Sequence, residues 1–470
     1  MNFNTPQYAV LLSVVLWAYW ASSRLRTRHF ILLAASYVFY GAWNPKYLLL
    51  IVGSTLLDFH VGRALARVKS QRYRRLLLAA SLVGNLGALG LFKYFNFFVG
   101  EISHVAALLG IQWAAPELKL LLPVGISFYT FQTLSYTIDV YRCRLEPTDN
   151  LLEFATFVAF FPQLVAGPIL RAEQFLPQLA TRQKPDEPLA MDGVHRILRG
   201  LLKKAIFADL VGAFVVDHVF ANPGAWSSLD AMIATYAYAL QIYADFSAYS
   251  DIAIGSAQLL GYRIPENFNY PYLSRDPREL WHRWHISLSS WLRDYLYIPL
   301  GGSRCSNART YFNLMATMVL GGLWHGAGMT FIVWGTLHGV VLAFTRWIQR
   351  HFPHFDDPHR PAWDNVLRIF ITFHFVCLTW IFFRSPDFAT AGAMLSTIGR
   401  GDFSLGISLP RVALVAVGLA IHFGNGPWKN RIVHTFLTLP RFVQAVIAVG
   451  VICVVAAAAQ VAAPFIYFQF

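Results

Sequence analysis

The chain has 470 residues, of which 56% are hydrophobic and only 13% charged, with 38 basic against 25 acidic side chains and a net charge of +13. With a mean hydropathy of +0.46, that composition excludes an ordinary soluble globular domain. The excess charge does not read as a nucleic-acid surface: the basic residues sit between apolar runs, as in Arg24-Leu25-Arg26-Thr27-Arg28 and Arg72-Tyr73-Arg74-Arg75, the pattern of cytoplasmic loops under the positive-inside bias.

The first uncharged run is Met1 to Ser23. Its basic cluster follows rather than precedes it, which predicts an outward-facing N-terminus and not a cleaved signal peptide. Further uncharged runs follow at Leu76–Phe92, Leu120–Ile138, Phe154–Leu170, Thr310–Thr345, Val412–Trp428 and Phe442–Phe470. Each is near or above the roughly 17–25 residues that span a bilayer. These runs predict an all-α polytopic membrane protein with about 10–12 spanning or re-entrant segments. Short polar breaks and no long hydrophilic linker predict one integral membrane domain over residues 1–470. Its motif-rich core lies at about 120–350, and C-terminal helices with an aromatic tail at about 365–470. Cys143, Cys305, Cys377 and Cys453 are scattered, with neither a disulfide framework nor a zinc pattern.

Within Asn267–Arg304, Asp276 is placed to cap a helix that has Pro277 at its first position and Glu279 three residues on. Trp281, Trp284, Leu288, Trp291, Leu292 and Tyr295 then recur at helical spacing, broken by Arg278, Arg283 and Arg293. This predicts an interfacial amphipathic helix, or a short helix dipping into the membrane.

Thr310–Thr345 is too long for one span. As one helix it would be roughly 50 Å long at about 1.5 Å per residue, against a hydrocarbon core of about 30 Å. Gly321, Gly322, Gly326 and Gly328 mark the expected break, with His325 inside it. Irregular backbone at membrane depth survives only inside protein or beside water, and a titratable side chain there is a candidate for function. His325 reads as a catalytic base or a structural hydrogen-bonding group. His285 is a second candidate, with a lipid-headgroup contact as its alternative. His282 and His285, three apart, would share a helix face, but no third metal ligand accompanies them. His338, thirteen residues after His325, is expected to pack rather than react. The His351-x4-Asp356 pattern lies in a Pro-containing loop and carries little weight.

Asp245-Phe246-Ser247-Ala248-Tyr249-Ser250-Asp251 places two carboxylates in an apolar setting. They would support a polar tunnel, meet a substrate hydroxyl, pair internally with an arginine, or lie at the membrane surface. The terminal Phe465–Phe470 is aromatic and apolar with one phenol, Tyr467. It reads as an aromatic anchor or as a segment that carries Tyr467 into an active-site cavity. No Walker A, GxSxG or HExxH motif is present.

Taken together, the motifs at Asp245–Asp251, Pro265–Tyr272, Trp284–Ser289, Trp291–Gly302, Gly321–Gly326 and Phe465–Phe470, with Pro162–Ile169 upstream, resemble the membrane-bound O-acyltransferase superfamily. The closest likeness is to its alginate O-acetylation membrane branch. His282 departs from the arginine that this branch has there. The resemblance implies a ring of tilted helices around a transmembrane tunnel in the bacterial inner membrane. It implies His325 as the catalytic histidine and His285 as a second tunnel residue, with Trp324, Asp245, Asp251 and Asn269 in support. It further implies transfer of an acyl group, from a coenzyme A thioester or an acyl carrier protein, to a hydroxyl or carrier on the far side. A periplasmic acetyltransferase partner and no bound cofactor belong to the same picture, with Tyr467 as a possible acyl carrier by analogy with D-alanyl transfer systems. Arg residues of Arg275–Arg309 would meet the donor's phosphates, and amides of the Gly326–Gly328 turn would stabilise an oxyanion. The alternatives from other classes are a flippase for lipid-linked sugars or a scaffold of a polysaccharide export complex. Against the flippase stands the absence of any paired-halves repeat.

Overall fold

The computed structural model describes residues 3–113, 116–165, 167–357, 360–424, 426–458, 463 and 465–466. Among these residues the regular elements are all helices. The chain divides into two compact units, the first of residues 1–190 and 256–265 and the second of 191–255 and 266–470.

The helices of the first stretch are α1 (Pro6–Ala21), α2 (Leu25–Gly41), α3 (Leu48–Arg67), α4 (Gln71–Leu89), α5 (Phe95–Leu108), α6 (Ile126–Tyr141), α7 (Leu151–Ala159) and α8 (Ala172–Leu179). A π-helical turn, Gly90–Tyr94, joins α4 to α5, so the two run on as one 38-residue rod. The interior of this unit is polar as well as apolar. Asp58 on α3 is fully buried. It accepts hydrogen bonds from Ser81 Oγ and, at 2.8 Å each, from Asn85 Nδ2 and Thr137 Oγ1. Those three donors on α4 and α6 replace the water that the bilayer withholds. Gly125 adopts φ +74°, and a β-carbon there would meet the Leu164 carbonyl at 2.7 Å, so the turn into α6 has room for glycine alone.

The second stretch continues through α9 (Glu187–Leu202), α10 (Asp217–Ala221), α11 (Ser228–Leu259), α12 (Pro277–Arg283), α13 (Ile286–Leu292), α14 (Asn307–His325), α15 (Met329–His351), α16 (Ala362–Arg384), α17 (Phe388–Gly399), α18 (Leu409–Phe423), α19 (Pro427–Thr438) and α20 (Arg441–Ala458). Between α9 and α10 the chain widens into two π-helical stretches, Lys203–Leu210 and Gly212–Val216.

The 310–345 run breaks where length and glycine content place the break. Gly326 and Gly328 are extended, and α14 and α15 pack side by side as a hairpin. Glycines permit that close approach: a β-carbon on Gly322 would meet the Phe331 carbonyl at 2.3 Å, and one on Gly335 the Met318 carbonyl at 2.3 Å. Small residues let helix backbones touch where no hydrophobic force drives them together.

Five helices among the described residues are long and apolar enough to cross a membrane: Pro45–Arg67, Gln71–Leu108, Met329–His351, Ala362–Arg384 and Arg441–Ala458. The rest of the expected segments are shorter or interrupted helices. Large apolar side chains face outward, among them Trp17, Leu49, Val83 and Phe442. That distribution suits lipid and would be an aggregation hazard in water.

The amphipathic helix expected after Pro277 is not continuous. Asp276 does cap α12, its carboxylate accepting from the amides of Arg278 and Glu279. The helix then stops at Arg283, because Trp284 is extended and His285 takes a left-handed conformation, φ 42° and ψ 55°. The apolar periodicity survives the break, but a shared helix face does not: His282 is exposed while His285 is completely buried.

Candidate active site

His325 ends α14 and is 3% exposed. Its ring lies 5.1 Å from Trp324, 5.1 Å from Trp334 on α15 and 5.4 Å from Phe383 on α16, all nearly edge-on. The helix break thus delivers an imidazole into an aromatic cage. His285 lies 6.4 Å from His325, centroid to centroid, and 5.9 Å from Trp324. The structure therefore brings together three of the residues singled out from the sequence. His338 sits behind them, its Nε2 3.1 Å from Thr379 Oγ1 and its ring 4.8 Å from Trp334, which separates it from His325.

His285 owes its unusual backbone to Asn267. The Asn267 carbonyl accepts the Ile286 amide at 2.9 Å. Its side-chain oxygen accepts the Ser287 amide at 3.2 Å and the Ser287 hydroxyl at 2.9 Å. The same oxygen lies 3.2 Å from His285 Nδ1. Because a backbone N–H can only donate, the Ser287 amide fixes which end of the Asn267 amide is the oxygen. An amide oxygen can only accept, so Nδ1 carries the proton and Nε2 is the basic nitrogen of the neutral ring.

Asn267 is the residue that sequence reasoning missed. Asn269, two positions on, is exposed, and it meets Arg283 through its backbone alone. Replacing Asn267 by alanine removes the acceptor that orients His285. Transfer is expected to drop about 10²-fold, the scale of an ångström-level misplacement, and Asn269→Ala is expected to change it little. Initial rates of the acyl transfer that the resemblance implies, measured for the two variants, check the contrast.

The two carboxylates singled out on α11, Asp245 and Asp251, are paired inside the protein. Asp251 meets Arg199 and Lys203, the latter at 2.5 Å. Asp245 and Asp209 each lie 2.8 Å from Lys204 Nζ. These basic partners, on α9 and the π-helical stretch after it, were not singled out in the sequence. Their signal was three cations, at 199, 203 and 204, within an otherwise apolar run.

Arg275 and Arg283 pair with Glu279, Arg278 with Asp276 and Arg293 with Asp294. That leaves Arg304 and Arg309 as the arginines of this stretch with no carboxylate partner among the described residues. The Gly328 amide donates to the Gly326 carbonyl at 3.1 Å, so it is not available to an oxyanion. His351 is exposed, its Nδ1 against the Trp347 carbonyl. Tyr467 lies outside the described residues.

Residues 141–384 match the model of the membrane-bound O-acyltransferase family. The chain belongs to this family. It is 43% identical over 451 residues to a probable alginate O-acetylase of Pseudomonas aeruginosa, covering 93% of this chain and 84% of the relative. It is 34% identical to a peptidoglycan O-acetyltransferase of Helicobacter pylori, over 89% and 81% of the two chains. A teichoic acid D-alanyltransferase of Bacillus subtilis is 28% identical over 58% of this chain and 71% of its own. The protein is a multi-pass membrane O-acyltransferase. The family and these relatives disfavour the flippase and scaffold alternatives.

Proposed function

We propose that this membrane-bound O-acyltransferase moves acetyl groups from a cytoplasmic donor, acetyl-CoA or an acyl carrier protein, across the bacterial inner membrane for O-acetylation of an extracytoplasmic polysaccharide. Alginate is the first candidate acceptor. The observation that carries the reading is the pair of buried histidines, 6.4 Å apart, at a glycine-broken helix end. The relatives named above supply the acetyl group and the polymer class.

In this reading a histidine of the pair, His325 first, takes the proton from the accepting hydroxyl. The oxygen attacks the thioester carbonyl carbon, the carbon–sulfur bond breaks, and the imidazolium returns the proton to the departing thiolate. Trp324 packs against both rings. Asp245 and Asp251, through their ion pairs, keep the surrounding helices in register. Tyr467 is the proposed first acceptor: its phenol forms an aryl ester, which a partner protein or polymer hydroxyl then attacks, releasing the phenol.

Membranes containing the wild-type protein and labelled acetyl-CoA test this reading. Label appearing as ester, first on the protein and then on added alginate, is the expected result. Label that reaches neither protein nor polymer from acetyl-CoA or from an acetylated carrier protein, in membranes where the protein is intact, refutes it.

A further inference from the structure

Lys204 is a lysine buried to 1% exposure in a membrane protein, and the proposed transfer chemistry gives it no part. Its ammonium has three N–H bonds and three acceptors: Asp209 Oδ1 at 2.8 Å, Asp245 Oδ1 at 2.8 Å and the backbone carbonyl of Ala463 at 3.0 Å. The two carboxylates turn the same way. Asp245 Oδ2 accepts the Ile466 amide at 2.7 Å, and Asp209 Oδ1 accepts the Ala463 amide at 3.3 Å. Both ends of this short segment are therefore bonded through backbone to one buried charge cluster, which is complete only with the segment in place. A buried polar atom left without its partner is costly, and the segment supplies one carbonyl and two amides to this cluster, so the cluster selects the docked state.

The clamp also sets a direction. Phe465, fully buried, packs tilted against Tyr249 at 4.2 Å and meets Phe246 at 5.5 Å, and Phe246 in turn lies edge-on to His285 at 4.6 Å. We propose that Lys204, with Asp209 and Asp245, is a positioning residue for acyl transfer: it holds Ala463, Phe465 and Ile466 in place, with Phe465 against the Phe246 ring that meets His285, and so serves the relay residue next in the sequence, Tyr467. This rests on the relay reading of Tyr467. Backbone atoms carry the polar bonds of the clamp, and the buried Phe465 ring seats the segment beside them.

The test uses the full chain with Ile466→Cys as the sole thiol, the native cysteines having been replaced by serine or alanine. Ile466 is buried, and Ile466→Cys keeps the amide that Asp245 accepts. Maleimide labelling in detergent is compared between this protein and the same protein carrying Lys204→Met with Asp245→Asn, a pair that leaves one buried carboxylate rather than two. Phe465→Ala, outside every helix, is a second variant that leaves Lys204, Asp209 and Asp245 intact. The clamp predicts at least tenfold faster labelling in both, together with a fall in kcat at unchanged KM for acetyl-CoA. Fast labelling with wild-type kcat overturns the positioning role, and so does lost kcat with slow labelling. Removal of residues 467–470 that leaves transfer intact sinks the relay reading instead, while the labelling rates still decide whether the clamp exists.

Discussion

Replacing His325 by alanine lowers acetyl transfer by about 10²–10⁴-fold, the range expected when a general base is lost. The protein should still extract from membranes as a monodisperse species. The reason lies in where the side chain sits. His325 is the last residue of α14, and its neighbours include the rings of Trp324, Trp334 and Phe383. Deleting it leaves an apolar-walled gap at the tip of a hairpin whose seam, at Gly322 and Gly335, lies further along the helices. Chemistry should therefore fail before folding does. The check is the initial rate of labelled acetyl transfer in membranes matched for protein content. A fully active His325→Ala protein would assign the base to His285 Nε2.

The opposite balance is expected for Asp251. Asp251→Ala removes the partner of two cations, Arg199 and Lys203, whose side chains are 40% and 21% exposed. Breaking a buried pair costs about 3–5 kcal/mol, and the water available to Arg199 places this variant at about 3 kcal/mol, the lower end of that range. Arg199→Ala should cost less, because Lys203 still meets the carboxylate. Midpoints of thermal unfolding in detergent should fall in the order wild type, Arg199→Ala, Asp251→Ala. Equal midpoints would mean that the pair contributes nothing to stability.

These two expectations also mark what was legible in the sequence. The break around His325 was legible because it follows from a length mismatch: an uncharged run of 36 residues is too long for one span, and glycines say where it yields. The break at Trp284–His285 was not. The Trp281, Trp284 and Leu288 pattern keeps helical spacing across it, and periodicity records which residues are apolar rather than the backbone angle of one histidine. The choice between Asn267 and Asn269 was hidden for a related reason. Both lie in an irregular segment, where no repeat tells which side chain turns inward. The partners of Asp245 and Asp251 were hidden by distance, about 50 positions along the chain in the case of Arg199, although their chemical type could be expected: a carboxylate in an apolar run needs a cation or several donors.

The α14–α15 hairpin has a further consequence for how the chain is threaded through the bilayer. Its arms have 19 and 23 residues, about 28 and 34 Å at 1.5 Å per residue. Their open ends are joined by Arg350 and Asn307. Entry and exit are therefore on the same side, whichever side that is. The element adds an even number of crossings, and everything after His351 keeps the sidedness it would have had without it. An error in counting this segment as one crossing would invert the inferred orientation of α16 and of every helix that follows.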